Sequence, residues 1–184
     1  MKRLILAVVI GLAVCSPLFG DELKISTMTS ALTDRVGNTD RPGLLFKFEL
    51  PAKLEKARID LAYLRFKVES DTAQEALGLL VRPMLQAWSS GARLSTLPAS
   101  AVSRSDANFG GLSRKSGRGK VEITEVVRAW QSGGLSNFGL LVYPAEEMSG
   151  SFKLRNLPDG GVAQLEIFYT APEVAKTTDS TAAK

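Results

Sequence analysis

The chain has 184 residues, with Lys+Arg 23, Asp+Glu 19, one Cys and no His, for a formal net charge of +4. Without His there is no Ser-His-Asp or Cys-His nucleophile pair and no His-ligated metal. Hydrophobic content of 45% and charged content of 23% are ordinary for a globular chain, so one buried core is within reach without disulfide staples.

The N-terminus reads as a secretory leader. Met1-Lys2-Arg3 is a basic start and Leu4 to Val14 a continuous apolar run. That run is short of the roughly 20 apolar residues a membrane-spanning helix needs. Ser16-Pro17 breaks it, and Phe19-Gly20 precedes the charged Asp21-Glu22, so cleavage is expected after Gly20. Leu12-Ala13-Val14-Cys15 has the outline of a lipobox, but Val14 is bulky where a small residue is needed, so lipidation at Cys15 is disfavoured. Loss of Lys2 and Arg3 lowers the net charge from +4 to +2 and leaves the mature chain without a thiol. The expected location is periplasmic or extracellular, in keeping with a bacterial export route.

Beyond the leader, Leu23 to Met28 is expected as a short strand, followed by a turn around Gly37-Asn38. Leu44, Phe46, Phe48 and Leu50 then alternate with Lys47 and Glu49, the period-2 pattern of a half-buried strand that Pro51 stops. Lys53 to Arg58 is a polar link. Ala57-x-Ile59-x-x-Ala62-x-Leu64-x-Phe66-x-Val68 alternates again, with Tyr63, Arg65 and Lys67 on the opposite face. The extra residue between Ile59 and Ala62 predicts a β-bulge or bend. Leu77 to Leu85 is another strand, followed by Trp88. Residues 89–119 are rich in Ser and Gly and are expected as a long loop, with one short strand around Ala101-Val102.

One helix is expected over 124–132. Ile123, Val126, Val127 and Trp130 share a face, Thr124 is the expected N-cap, Glu125 suits the first turn and Gly133-Gly134 the stop. Asn137 to Tyr143, Ser151 to Arg155 and Ala163 to Thr170 are the closing strands, the last two joined through the turn Pro158-Asp159-Gly160-Gly161. Residues 171–184 are expected to be a disordered tail. The expected architecture is an all-β, jelly-roll-like antiparallel β-sandwich over 21–170 with one short helix.

Three segments together resemble a DNRLRE-type domain. They are Leu44 to Pro51 with Ala57 to Val68, Val121 to Gly133 with its Trp130, and Asn137-Phe138-Gly139-Leu140. Val81 to Trp88, Phe152-Lys153-Leu154 and Val162 to Tyr169 extend the likeness over roughly residues 43–170. It implies a jelly-roll β-sandwich of secreted bacterial proteins, similar to carbohydrate-binding modules and growth-factor latency propeptides. Leu94 to Pro98 stands where the family has a Thr-Trp motif, and Leu154-Arg155-Asn156 where it has Ser-Arg-Glu. The likeness therefore carries over a fold and no ligand residues.

The residues that could bind are Trp88 and Phe109 as aromatic platforms, and Arg104, Arg114, Lys115, Arg118 and Lys120, which make 104–120 basic with only Asp106 opposing. A basic segment with an aromatic suits an acidic polysaccharide or another cell-envelope component. Trp130, on the apolar helix face, is expected in the core. Nucleic acid is not expected as a partner of an exported chain with so small a net charge. Asp34-x-x-Gly37-Asn38-x-Asp40 lacks EF-hand spacing, so no metal or other cofactor is expected. Glu146-Glu147, adjacent in a polar stretch, would point apart rather than flank a cleft, so the chain is not expected to be an enzyme. The expected role is a noncatalytic structural or adhesive module, with carbohydrate binding through the 104–120 loop as the alternative.

Overall fold

A computed structural model describes residues 20–33, 42–70, 76–89, 99–104, 108–113, 116–146, 152–158 and 160–172. The expected leader with Cys15, the Asp34 to Asp40 stretch, Asp106, Arg114, Lys115, Glu147 and most of the expected tail lie outside these residues. No described helix is long and apolar enough to cross a membrane.

Among the described residues the fold is all-β and antiparallel, with one α-helix. Its strands are β1 (Asp21–Ser26), β2 (Thr29–Thr33), β3 (Gly43–Lys47), β4 (Arg58–Ser70), β5 (Ala76–Pro83), β6 (Asn108–Ser113), β7 (Arg118–Glu122), β8 (Leu140–Pro144), β9 (Phe152–Arg155) and β10 (Ala163–Thr170). They hydrogen-bond in the order β1-β10-β4-β7-β6-β5-β8-β3-β2, and β9 also pairs with β4. One half is β1-β10-β4-β7 and the other β6-β5-β8-β3, the double Greek-key order of a jelly roll. The halves are not separate sheets, because the β6–β7 hairpin pairs across them and makes one curled sheet.

The N-terminal segment joins the far ends of that sheet. Thr27 N–H donates to the Ala163 carbonyl at 3.0 Å and Met28 N–H to the Lys47 carbonyl at 2.8 Å. Successive N–H groups of an extended chain point to opposite sides, so one segment can pair first with β10 and then with β3. The expected strand Leu23 to Met28 is thus β1 as far as Ser26, and Thr27 and Met28 form the corner that leads into β2.

Inside the curl lies the main core. Leu44, Phe46, Leu64, Phe66, Leu79, Val81, Val121, Leu140, Leu165 and Ile167 are buried in it, and Phe46 and Phe66 meet with ring centroids 5.6 Å apart. The helix α1 (Thr124–Gln131) adds Val126, Val127 and Trp130, which is only 7% exposed. Burying an aromatic of that size contributes about 2–3 kcal/mol. Polar anchors fix the helix to β4. Arg128 Nε and Nη2 donate to the Ile59 carbonyl at 2.9 and 2.7 Å, and Gln131 Nε2 donates to the Ala57 carbonyl at 2.7 Å. Thr124 is not the N-cap. It is the first helical residue, after Ile123, and its hydroxyl is buried elsewhere. That oxygen accepts from Ala62 N–H and donates to Glu122 Oε1, both at 3.0 Å.

The bulge in β4 falls where the extra residue predicts it. Opposite β10, Leu61 faces Phe168 and Ile59 faces Tyr169, so Asp60 is the additional residue.

The expected loop over 89–119 is corrected in two ways. First, its last part is the β6–β7 hairpin. Gly110 and Gly119 read as loop residues but serve strand packing: a Cβ on Gly110 would stand 2.2 Å from Val121 Cγ2, and one on Gly119 2.3 Å from the Phe66 ring. Second, the part around Ala101 covers the outer surface of β3, β8 and β5. Met84 pairs with Val102 as an isolated bridge, and Ala99–Ala101 forms a 3-10 turn. Under this cover lies a second apolar cluster of Ala31, Leu45, Met84, Ala101, Leu141 and Tyr143, with Leu80, Trp88, Val102 and Phe138 packed on it. This explains why Leu45 is buried although its neighbours Leu44 and Phe46 face the main core.

Candidate functional site

Alternation decides which side chains leave the core. On β4, Ala62, Leu64, Phe66 and Val68 point inward, so Tyr63, Arg65 and Lys67 line the outer surface. On β7 the pattern is strict, with Gly119 and Val121 buried and Arg118, Lys120 and Glu122 exposed. On β9, Lys153 and Arg155 are the outer residues.

Register brings these together. Arg65 lies opposite Lys120, and Lys67 opposite Arg118. On its other side Lys67 faces Arg155, and Glu69 faces Lys153. Arg65, Lys67, Arg118, Lys120, Lys153 and Arg155 thus stand on three contiguous strands. Like charges directly opposite one another destabilise a sheet, so this arrangement costs stability.

Counter-charge is partial. Arg65 Nη1 sits 3.0 Å from Oε1 of Glu166, a residue only 7% exposed. Arg155 pairs with Glu69 and, by hydrogen bond and charge, holds that carboxyl below the usual carboxylate range. Among the described residues, no carboxylate pairs with Lys67, Arg118 or Lys120. Lys120 instead places its ammonium 3.7 Å from the centroid of the Tyr63 ring, a cation–π contact.

The same surface continues onto β6. Gly111 lies opposite Lys120, and a Cβ there would meet nothing within 4 Å. Phe109, two residues before it, is 69% exposed and faces Leu80, with its ring edge near Gly78. An open glycine floor therefore separates the exposed aromatic from the cations.

The expected site residues divide. Arg118, Lys120 and Phe109 share this surface, although on strands rather than in a mobile loop. Arg114 and Lys115 lie outside the described residues. Arg104 is exposed on the cover segment, where its carbonyl accepts from Arg82 Nη1 at 3.2 Å. Trp88 is half-buried in the second cluster, and its indole N–H donates to the Phe138 carbonyl at 2.6 Å. Sequence reasoning missed Tyr63, Arg65, Lys67 and Arg155 as site residues. The signal for Tyr63, Arg65 and Lys67 was the solvent face of the 57–68 alternation, but only strand pairing shows what these residues and Arg155 face.

Glu146, the described member of the expected acidic pair, is exposed. Among the described residues, no group of three or more Cys, Asp or Glu could hold a metal ion. No protein-family model matches the chain, and no curated protein matches it significantly.

Proposed function

We propose that this is an exported, noncatalytic binding module, adhesive in role, whose outer β9–β4–β7–β6 surface holds an acidic polysaccharide. The observation that carries the reading is the pair of like-charged cross-strand contacts, Arg65 with Lys120 and Lys67 with Arg118. Folding alone disfavours them, and a bound polyanion would turn that repulsion into attraction. Adjacent strands are about 4.8 Å apart, comparable to the rise of one sugar in an extended polyuronate. The outer face of these strands can track such a chain, and Phe109 offers an apolar edge for a sugar ring. The absence of His throughout the sequence supports the noncatalytic half of the reading, because it removes Ser-His-Asp and Cys-His chemistry.

The test is titration with a polyuronate, a neutral glucan and double-stranded DNA at two salt concentrations. The expected result is saturable binding to the polyuronate alone, weakening steeply with salt. Equal affinity for DNA would replace the polysaccharide reading with nonspecific charge attraction. No binding to any polyanion would leave the face structural.

A further inference from the structure

We propose that the Asp60 carboxylate is the receptor for the α-ammonium group of Asp21, formed when the leader is removed at the Gly20–Asp21 bond. The proposal rests on the export reading above and adds a place in the fold for the new terminus.

Asp60 owes its direction to the bulge. As the residue without a partner on β10, it is free of the alternation that would otherwise set its side chain. Its Oδ1 accepts from Arg58 Nε at 2.7 Å and its Oδ2 from the Thr170 hydroxyl at 2.7 Å. Two side-chain donors leave acceptor capacity on a carboxylate, which offers about four lone-pair sites.

Gly20 stands against that remaining capacity. A Cβ built on Gly20 would be 3.1 Å from Asp60 Oδ2 and 2.3 Å from the Tyr169 carbonyl oxygen. The residue is held between β10 and the carboxylate, with room for nothing larger. Asp21, next in the chain, is fixed opposite Tyr169 as the first residue of β1.

Hydrolysis breaks the C–N bond between Gly20 and Asp21. Water supplies the hydroxyl that completes the Gly20 carboxyl and the hydrogen that completes the Asp21 amine. At neutral pH that amine takes up a further proton, since α-amino groups titrate near 7.7–8.0. Departure of Gly20 clears the space before Oδ2, and an ammonium with three donors replaces an amide with one. Among the described residues, the other charges around this point include the side-chain carboxylate of Asp21 itself, Arg58 on β4, Arg128, whose Nη2 donates to the Asp60 carbonyl at 3.3 Å, and Glu125, which pairs with Arg128 at 2.6 Å. Lys53 stands 5.7 Å over the Tyr169 ring.

Three measurements test this. Full-length protein is exported from a bacterial host and its intact mass taken. A start at Asp21 is expected, and any other start overturns the leader reading itself. Next, the chain beginning at Asp21 is compared with one retaining the native Phe19-Gly20 before it, so that glycine still fills the tight position, each with Asp60 and with Asp60→Asn. The extension is expected to lower the melting temperature by about 2 °C with Asp60 and not measurably with Asp60→Asn. Equal shifts in both backgrounds overturn the pairing, whatever the mass shows. Should Asp60→Asn fail to fold, the titration of the α-amine in the unsubstituted protein decides. A paired amine titrates above the ordinary range, whereas an ordinary value overturns the proposal.

Discussion

The Lys120 ammonium rests 3.7 Å from the centre of the Tyr63 ring, although the two residues are diagonal neighbours on adjacent strands. Lys120 could spread into solvent, away from Arg65 opposite, but the ring holds it over the sheet. On the proposed reading, Tyr63 would present a cation to the polyanion rather than stack on it. Tyr63→Leu keeps an apolar side chain at this position and removes the π face. The expected result is polyuronate affinity several-fold lower with a stability loss below about 1 kcal/mol. Isothermal titration and denaturant unfolding on the same sample check both halves.

Arg118→Glu should move stability and binding in opposite directions. Arg118 lies opposite Lys67 with no carboxylate partner among the described residues, so the substitution turns a repulsive pair into an attractive one. The fold should be stabilised by about 0.2–1 kcal/mol. Polyuronate affinity should fall at least tenfold and its salt dependence become shallower. Unchanged affinity would separate the basic face from binding.

The hairpin that carries Arg118 and Lys120 depends on Gly119. Its missing side chain admits the Phe66 ring, whose atoms would stand 2.3–2.7 Å from an added Cβ. Gly119→Ala must displace a fully packed ring that also touches Phe46. Overpacking of this kind costs about 1–3 kcal/mol. Gly111→Ala, with open space above it, should cost far less, and the difference between the two is measurable by thermal unfolding.

Local pattern made the interior of this fold legible and left its pairing hidden. The β4 bulge could be read because Ile59 and Ala62 break the alternation within a few residues. The α1 face could be read because Val126, Val127 and Trp130 recur at helical spacing. The β6–β7 hairpin could not, because a glycine that admits a neighbouring ring looks the same as one that supplies a turn. The site was half legible for the same reason. Arg118 and Lys120 stood out by charge density, while Arg65 and Lys67 become site residues only through a register set by distant strands.

Trp88 and Trp130 should respond differently to truncation. Trp130 lies in the main core at 7% exposure, and Trp130→Ala should cost about 3–5 kcal/mol. Trp88 fastens the cover segment by packing on the second cluster and donating to the Phe138 carbonyl. Trp88→Ala should cost about half as much and leave polyuronate affinity unchanged, because Trp88 lies outside the β4–β7 face. A large affinity loss in Trp88→Ala would bring the cover segment into the binding site.

Acid should weaken the fold partly through Asp60. The Thr170 hydroxyl, with the Arg58 and Arg128 guanidinium groups, holds its carboxyl below the ordinary value. A carboxyl lowered on folding binds fewer protons in the native than in the unfolded chain. Its contribution is therefore complete above the unfolded carboxylate value and is lost as pH falls through the folded one. Asp60→Asn should lower the melting temperature at pH 6 and narrow its gap from the unsubstituted protein as pH approaches 3. Parallel curves over that range would show that the Thr170 and Arg58 contacts do not distinguish the ionised carboxyl from the neutral one. The bulge would then act through its backbone alone, with Arg128 bonding the Ile59 and Asp60 carbonyls as its anchor.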